Sequence, residues 1–428
     1  MKQFKNIQRS IFITFILAIS GIFATSVHAS EFHVTTPQEL QTALSTAAEN
    51  NQSDSIFLAA GIYKGNFRMN TEESDTSISI QAEEGLNAGN VILDGEERDR
   101  VLLIDSGENK LNVFVKDLTM KNGKGNTCSG LHIRSKGNVS ISNCMLSDNT
   151  GSAIGGCYVY QAKKVSIINS RIENNSSSQY SGIKIDSSDD ITLEGNEFVN
   201  NYIYSNSSNY GCVYIAGSII TVRNNFFSKN SKYGSSLYIS GTGLISVTNN
   251  EFDQNEHNYG AVKIVGSQNV DFSNNRIEKN LCGGSISATK SLQFNSNIFL
   301  KNNSCMTLSS NLIEAANNII AKNENKGLHV SSSGTIYLNN NLITKNTTTA
   351  KGGGLLVFIN NNTAILNLYN NIIWGNTAET EGNDIYLNGY GSKKNFYNNN
   401  VHDIVGTFDY SANNIDVAPL FINTEKDD

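Results

Sequence analysis

The sequence predicts an all-β solenoid, a single-stranded parallel β-helix of roughly 12 coils with a short helix over its N-terminal end. Three observations predict it. A polar phrase, Asn-Asn-x-apolar-x-x-Asn, returns ten times at intervals of 21 to 30 residues. Most returns are preceded by two pairs of apolar residues at alternate positions, the period of a strand with one buried face. Helical spacing is absent between the returns, which excludes an α-solenoid. Each coil therefore holds three short strands and three turns, and coils stack about 4.8 Å apart.

The elements follow in chain order. Lys2, Lys5 and Arg9 precede an apolar run from Ile11 to Phe23, and Val27-His28-Ala29 forms a small-x-small cleavage site. Residues 1–29 thus read as a signal peptide, with a mature chain from Ser30 exported through the Sec route to the periplasm, the cell surface or the medium. The apolar run is too short for a durable membrane helix, and no later segment could span as one. Residues 30–54 read as a capping segment. Thr36-Pro37-Gln38-Glu39 supplies an N-cap, a proline at N1 and a capping glutamate at N3, and Leu40, Ala43, Leu44 and Ala47 share one helical face. From residue 55 to 428 the chain reads as β-helix, with Ile56-Phe57-Leu58 and Val91-Ile92-Leu93 as strands of irregular first coils.

The phrase opens at Asn143, Asn169, Gly195, Asn224, Asn249, Asn274, Ser296, Asn317, Asn340 and Asn370. The sixth residue on is asparagine every time, from Asn149 to Asn376, and the third is apolar, as in Phe198, Phe227, Phe252 and Phe299. A corner buried between coils leaves backbone groups in need of partners. Asparagine tolerates the left-handed conformation and bonds its own backbone, and stacked asparagines can bond the coils above and below. The phrase is read as scaffold.

Composition narrows the function. The formal charge is −7 and no Lys/Arg-rich run occurs, which argues against nucleic acid. Six cysteines in an exported chain invite a disulfide reading. Register opposes it: Cys157 and Cys305 are placed in one core column with Ile183, Leu237 and Val262, and no two cysteines share a column on neighbouring coils. Six free thiols are expected. No CxxC, paired histidines or carboxylate cluster marks a metal site, so neither metal nor cofactor is expected, and the chain is read as a monomer.

Chemistry in a solenoid lies on its outward columns. On the strand before the phrase the outward residues are Ser140, Ser166, Thr192, Thr221, Ser246, Asp271 and Gln293, mostly small and polar. The preceding strand differs: His132, Tyr158, Lys184, Tyr214, Tyr238, Lys263, then Ser285, Met306 and His329. Tyrosine offers an apolar face with a hydroxyl, lysine an ammonium for a uronate or sulfate, at a spacing close to that of successive sugars. His132, Tyr158, Lys184, Tyr214, Tyr238 and Lys263 are the expected ligand-binding residues. His132, Arg134, Tyr158, Tyr160, Lys184 and Asp186 share three consecutive coils. Among them His132, Arg134 and Lys184 are the candidates for a base and an enolate-stabilising cation in β-elimination or epimerisation. Asp189-Asp190 is read as a polar turn.

The architecture resembles the pectate-lyase-like superfamily of right-handed parallel β-helix repeat proteins over residues 55–425. The Phe-x-x-Asn motifs at Phe198, Phe227, Phe252 and Phe299, with Gly155-Gly156, Tyr210-Gly211, Tyr259-Gly260 and Gly283-Gly284 before the next strand, are similar to the passenger repeats of polymorphic outer-membrane adhesins. Asn371-Ile-Ile-Trp-Gly-Asn376, Asp384-Ile-Tyr386 and Ala418-Pro-Leu-Phe421 resemble the closing coils of bacterial secreted β-helix proteins. Signatures of the pectin-cleaving members, Asn-Thr-Asp and Gly-His-Gly, are missing. The expectation is an adhesin-like, non-catalytic binder of surface or host polysaccharide, the acidic kind being favoured by the lysines. The alternative is a polysaccharide lyase or epimerase acting on an acidic glycan.

Overall fold

The computed structural model describes residues 29–206, 210–389 and 393–421. The signal-peptide segment lies outside the described residues. The rest is a parallel β-helix with one helix, Pro37–Ala47. Thr36 caps that helix: its hydroxyl accepts from the Glu39 N–H, the Glu39 carboxylate accepts from the Thr36 N–H, and Leu40, Ala43, Leu44 and Ala47 are buried against the first coils. Ser30–Val34 already joins the solenoid, pairing in parallel with Asp54–Leu58.

One face of the solenoid is a 14-stranded parallel sheet, one strand per coil, from Gly61–Lys64 to Asn400–Val401. The coil count is therefore 14 rather than roughly 12. Ten of these strands lie within the asparagine phrase. The additional coils lack it: Gly61–Lys64, Val91–Asp94 and Thr119–Lys121 precede the first phrase, and Asn400–Val401 follows the last.

The other two faces were expected as separate short strands. In the middle of the solenoid they fuse into single long ones, Ile183–Glu194, Gly211–Arg223, Ser235–Thr248, Val262–Ser273 and Gly284–Asn295. The corner there bends without losing its pairing, through register shifts such as those between Gly217 and Ile219 and between Ile264 and Ser267. Gly217 makes one such bend possible, since a Cβ there would meet the Ser188 carbonyl oxygen at 2.6 Å. Asp190 lies in such a corner, where its carboxylate pairs with Lys164 at 2.9 Å.

The phrase divides its labour. Its first residue takes the left-handed conformation, as at Asn249 (φ 56°), and so does the residue before its last, as at Gln254 (φ 52°). Each left-handed residue is followed by a ladder residue. Asn255 donates its backbone N–H and Nδ2 to Asn280 Oδ1 on the next coil (3.0 and 2.9 Å), and Nδ2 also to the Phe227 carbonyl (2.8 Å). Asn250 does the same toward Asn275 and Val222. Two asparagine ladders thus run side by side, one from Asn149 to Asn376 and one from Asn196 to Asn414. Between them the apolar residues stack in the core: Phe227 lies 4.8 Å from Phe198 and 4.6 Å from Phe252, its ring plane nearly parallel to both.

Two sequence placements are corrected. Met306 is buried opposite Gly284 in the core column, and Thr307 takes the outward place opposite Ser285. Cys305 accordingly leaves the core column and is only half-buried, whereas Cys157 stands in it, opposite Leu131 and Ile183. All six cysteines are free thiols.

Candidate functional site

The outward column of the sequence reading is one continuous register. His132 pairs with Tyr158, Tyr158 with Lys184, Lys184 with Tyr214, Tyr214 with Tyr238 and Tyr238 with Lys263, followed by Ser285, Thr307 and His329. Parallel in-register pairing puts like-facing side chains one coil apart, about 4.8 Å, and the rings make use of it. His132 stacks on Tyr158 with centroids 4.9 Å apart, and Tyr214 meets Tyr238 edge-on at 5.2 Å.

Lys184 is the centre of the group. Its Nζ lies 5.1 Å from the ring of Tyr158, 5.2 Å from that of Tyr180 and 5.8 Å from that of Tyr214. It also pairs with Asp186 at 2.9 Å. The side chain stands in the outward column, as the alternation predicts, but is only 18 % exposed. Lys263 makes a ring contact of the same kind, with Nζ 4.8 Å from the Tyr238 ring.

Two members of the site escaped the sequence reading. Tyr180 and Tyr210 lie in the turns entering the strands, 5.7 Å apart, and Tyr180 leans on Tyr214 at 5.0 Å. Their signal was present in Tyr180-Ser181-Gly182 and Tyr210-Gly211, an aromatic residue just before the glycine that opens a strand. The first of these turns sets the Tyr180 ring against Lys184, and the second packs Tyr210 on Tyr180.

The protonation states follow from burial. Desolvation raises the phenols of Tyr158, Tyr180, Tyr214 and Tyr238, so each stays a hydrogen-bond donor with an intact ring face at neutral pH. Burial, aided by the charges of Arg100 and Arg134, pulls the His132 imidazole down to about 4, and its Nδ1 is buried with no partner. Arg134 is bound by Glu108 at 2.8 Å, and Lys136 by the same carboxylate at 2.7 Å. These two cations hold Glu108 down at about 2. The structure thus brings His132, Tyr158, Lys184, Tyr214, Tyr238 and Lys263 into one register column, in which Tyr238 is buried at 8 % exposure. Arg134 and Asp186 lie beside it, both engaged in ion pairs. No group of three or more His, Cys, Asp or Glu among the described residues could hold a metal ion. Such a surface can stack sugars, donate hydrogen bonds to hydroxyls and meet scattered negative charge.

The model of the right handed beta helix region matches residues 76–252 and 234–343, which together cover more than half of the sequence. The chain belongs to that family. The right-handed β-helix of the family accounts for the coil, the ladders and the stacked core. A comparison with curated proteins finds no match. Among solved structures the β-helix is similar to an alginate lyase from Paenibacillus sp. str. FPU-7, with 14 % identity, 84 % of this chain and 99 % of that one covered, and a TM-score of 0.29. It is similar to the A-module of mannuronan C-5 epimerase AlgE6 from Azotobacter vinelandii, with 12 % identity, coverage of 90 % and 95 %, and a TM-score of 0.38. A mannuronic acid specific polysaccharide family 6 lyase from human gut microbiota gives 12 % identity, coverage of 86 % and 86 %, and a TM-score of 0.37. What those proteins act on is said of them; on one scaffold many chemistries are built.

Proposed function

We propose that the protein binds a polysaccharide carrying acidic groups along the outward column from His132 to Lys263. The observation that carries this reading is the column itself: six successive coils present rings and ammonium groups in register, with Lys184 held among the rings of Tyr158, Tyr180 and Tyr214. Rings at coil spacing suit the faces of consecutive sugars, and the raised phenols supply hydroxyl donors. The neighbouring column of Ser140, Ser166, Thr192, Thr221 and Ser246 offers neither.

A second reading is a lyase or epimerase on the same track. One observation favours it: His132 is neutral at pH 7 and stands two residues from Arg134, a base beside a cation. That cation is bound by Glu108, and the phenols are too weakly acidic to serve as bases, so binding is the reading the geometry supports best. A glycan array with the mature protein, followed by an ultraviolet assay for unsaturated uronate on every glycan bound, separates the two. Binding without product supports the binder; product that His132→Ala abolishes supports the enzyme; an array without binding removes both. The protein acts outside the cytoplasm in this reading, and N-terminal sequencing of the exported chain tests it, a start near Ser30 being expected.

A further inference from the structure

The charge on the track is sparse and partly cancelled. Over the six coils from His132 to Lys263 the column itself holds two lysines, Lys184 and Lys263, separated by Tyr214 and Tyr238. Three coil spacings lie between them, about 14 Å. Asp186 neutralises much of the charge on Lys184 at 2.9 Å. At the N-terminal end the imidazole of His132 is neutral, and Arg134 is bound by Glu108. Past Lys263 the column continues as Ser285 and Thr307. Carboxylates border it at Asp105, Glu108 and Asp186, on a chain of formal charge −7.

A homopolyuronate laid on this column would set a carboxylate over nearly every coil. Most would then face a tyrosine or a neutral imidazole. The face of an aromatic ring carries the negative side of its quadrupole and disfavours an anion. Burying a charge against it without a partner is costly. Neutral sugars meet no such penalty there. Their apolar faces cover the rings, and their hydroxyls accept from the phenols.

We infer that the ligand class is a polysaccharide whose acidic groups are widely spaced, with neutral sugars between them over the stretch around Tyr214 and an acidic group over Lys263, and not a homopolyuronate. The inference rests on the proposed binding along this track and adds the charge density of what is bound.

The test is calorimetric titration of the mature protein at physiological salt with four named polymers. Deacylated gellan carries a single uronate among neutral sugars in each repeat; carboxyl-reduced gellan carries none; polygalacturonate and polymannuronate carry one on every sugar. Gellan is expected to bind at least about tenfold more tightly than either homopolymer. Lys263→Gln is expected to lower the affinity for gellan while leaving that for the carboxyl-reduced polymer unchanged. If a homopolyuronate binds as tightly as gellan, the inference on charge spacing is overturned and the binding track stands. If Lys263→Gln weakens both gellan forms equally, the place assigned to the acidic group is overturned. If none of the four polymers binds, the binding track itself falls.

Discussion

The ammonium of Lys184 lies 2.9 Å from the carboxylate of Asp186, two residues along the same strand and on the same outward side. The same ammonium lies 5.1, 5.2 and 5.8 Å from the ring centroids of Tyr158, Tyr180 and Tyr214. Removing the lysine therefore does more than remove a surface charge. It takes the cation from three rings, each contact contributing about 0.5–2 kcal/mol, and leaves Asp186 half-buried without its partner. Lys184→Ala is expected to weaken glycan binding and to lower protection from hydrogen exchange on the strands at 157–160 and 211–223. Unchanged protection there would show the cluster to be loosely held.

Asn255 and Phe252 support the coil by different routes. Phe252 is fully buried and stacked on Phe227, and Phe252→Ala is expected to cost about 3–5 kcal/mol. Asn255→Ala removes the acceptor for the N–H and Nδ2 of Asn230 and strands the Phe227 carbonyl, at about 1–3 kcal/mol. Repeats couple to their neighbours, so the loss should appear first between residues 225 and 300. Hydrogen exchange with mass spectrometry locates it, and loss spread evenly over the chain would contradict the nearest-neighbour picture.

These two sites show what the sequence could and could not supply. The ladders were legible because each coil repeats the same corner, so Asn149 to Asn376 announce themselves by spacing. The outward column was legible from alternation. Alternation fails where both registers look acceptable. In Cys305-Met306-Thr307-Leu308 either alternate pair could face inward, and a slip of one residue exchanges the faces; Gly284 opposite Met306 settles it in the structure. Facing is also not depth. Tyr180 sits in a turn whose path no periodicity encodes, so the half-burial of Lys184 beside it stayed hidden. The first and last coils escaped the count for a related reason: Gly123 follows the Thr119–Lys121 strand where the next coil places the ladder residue Asn149.

The thiols should divide into two classes. Burial pushes Cys128, Cys144 and Cys212 up to about 12 and Cys157 well above the ordinary thiol range. A buried thiol that resists ionisation is inert. Cys282 and Cys305 are half-buried, with their thiols raised less far. Alkylation of the folded, unreduced protein is expected to label Cys282 and Cys305 slowly and the other four only after unfolding. A mass deficit of one disulfide on any cysteine pair, or rapid labelling of Cys157, would contradict this arrangement.

His257 should set an acid limit on the middle coils. It is fully buried, its Nδ1 donates to the Tyr233 carbonyl at 2.8 Å, and its Nε2 has no partner. Burial holds the imidazole down at about 4, below the ordinary histidine value of 6.5. In the unfolded chain the ring takes a proton as pH falls through about 6.5, while in the folded chain it does not until about 4. Between those values the unfolded state binds more protons, so stability is full above 6.5 and falls as the pH drops toward 4, at up to about 1.4 kcal/mol per pH unit from this residue. His132, held down by burial in the same way, adds to the fall at the N-terminal end of the track. His257→Gln keeps a donor for Tyr233 and cannot titrate. It is expected to flatten the pH dependence of hydrogen exchange around residues 231–262 between pH 6.5 and 4, while His132 continues to impose it around residues 131–160. An identical acid profile for wild type and His257→Gln in the middle coils would show that the ring is already solvated in the native state.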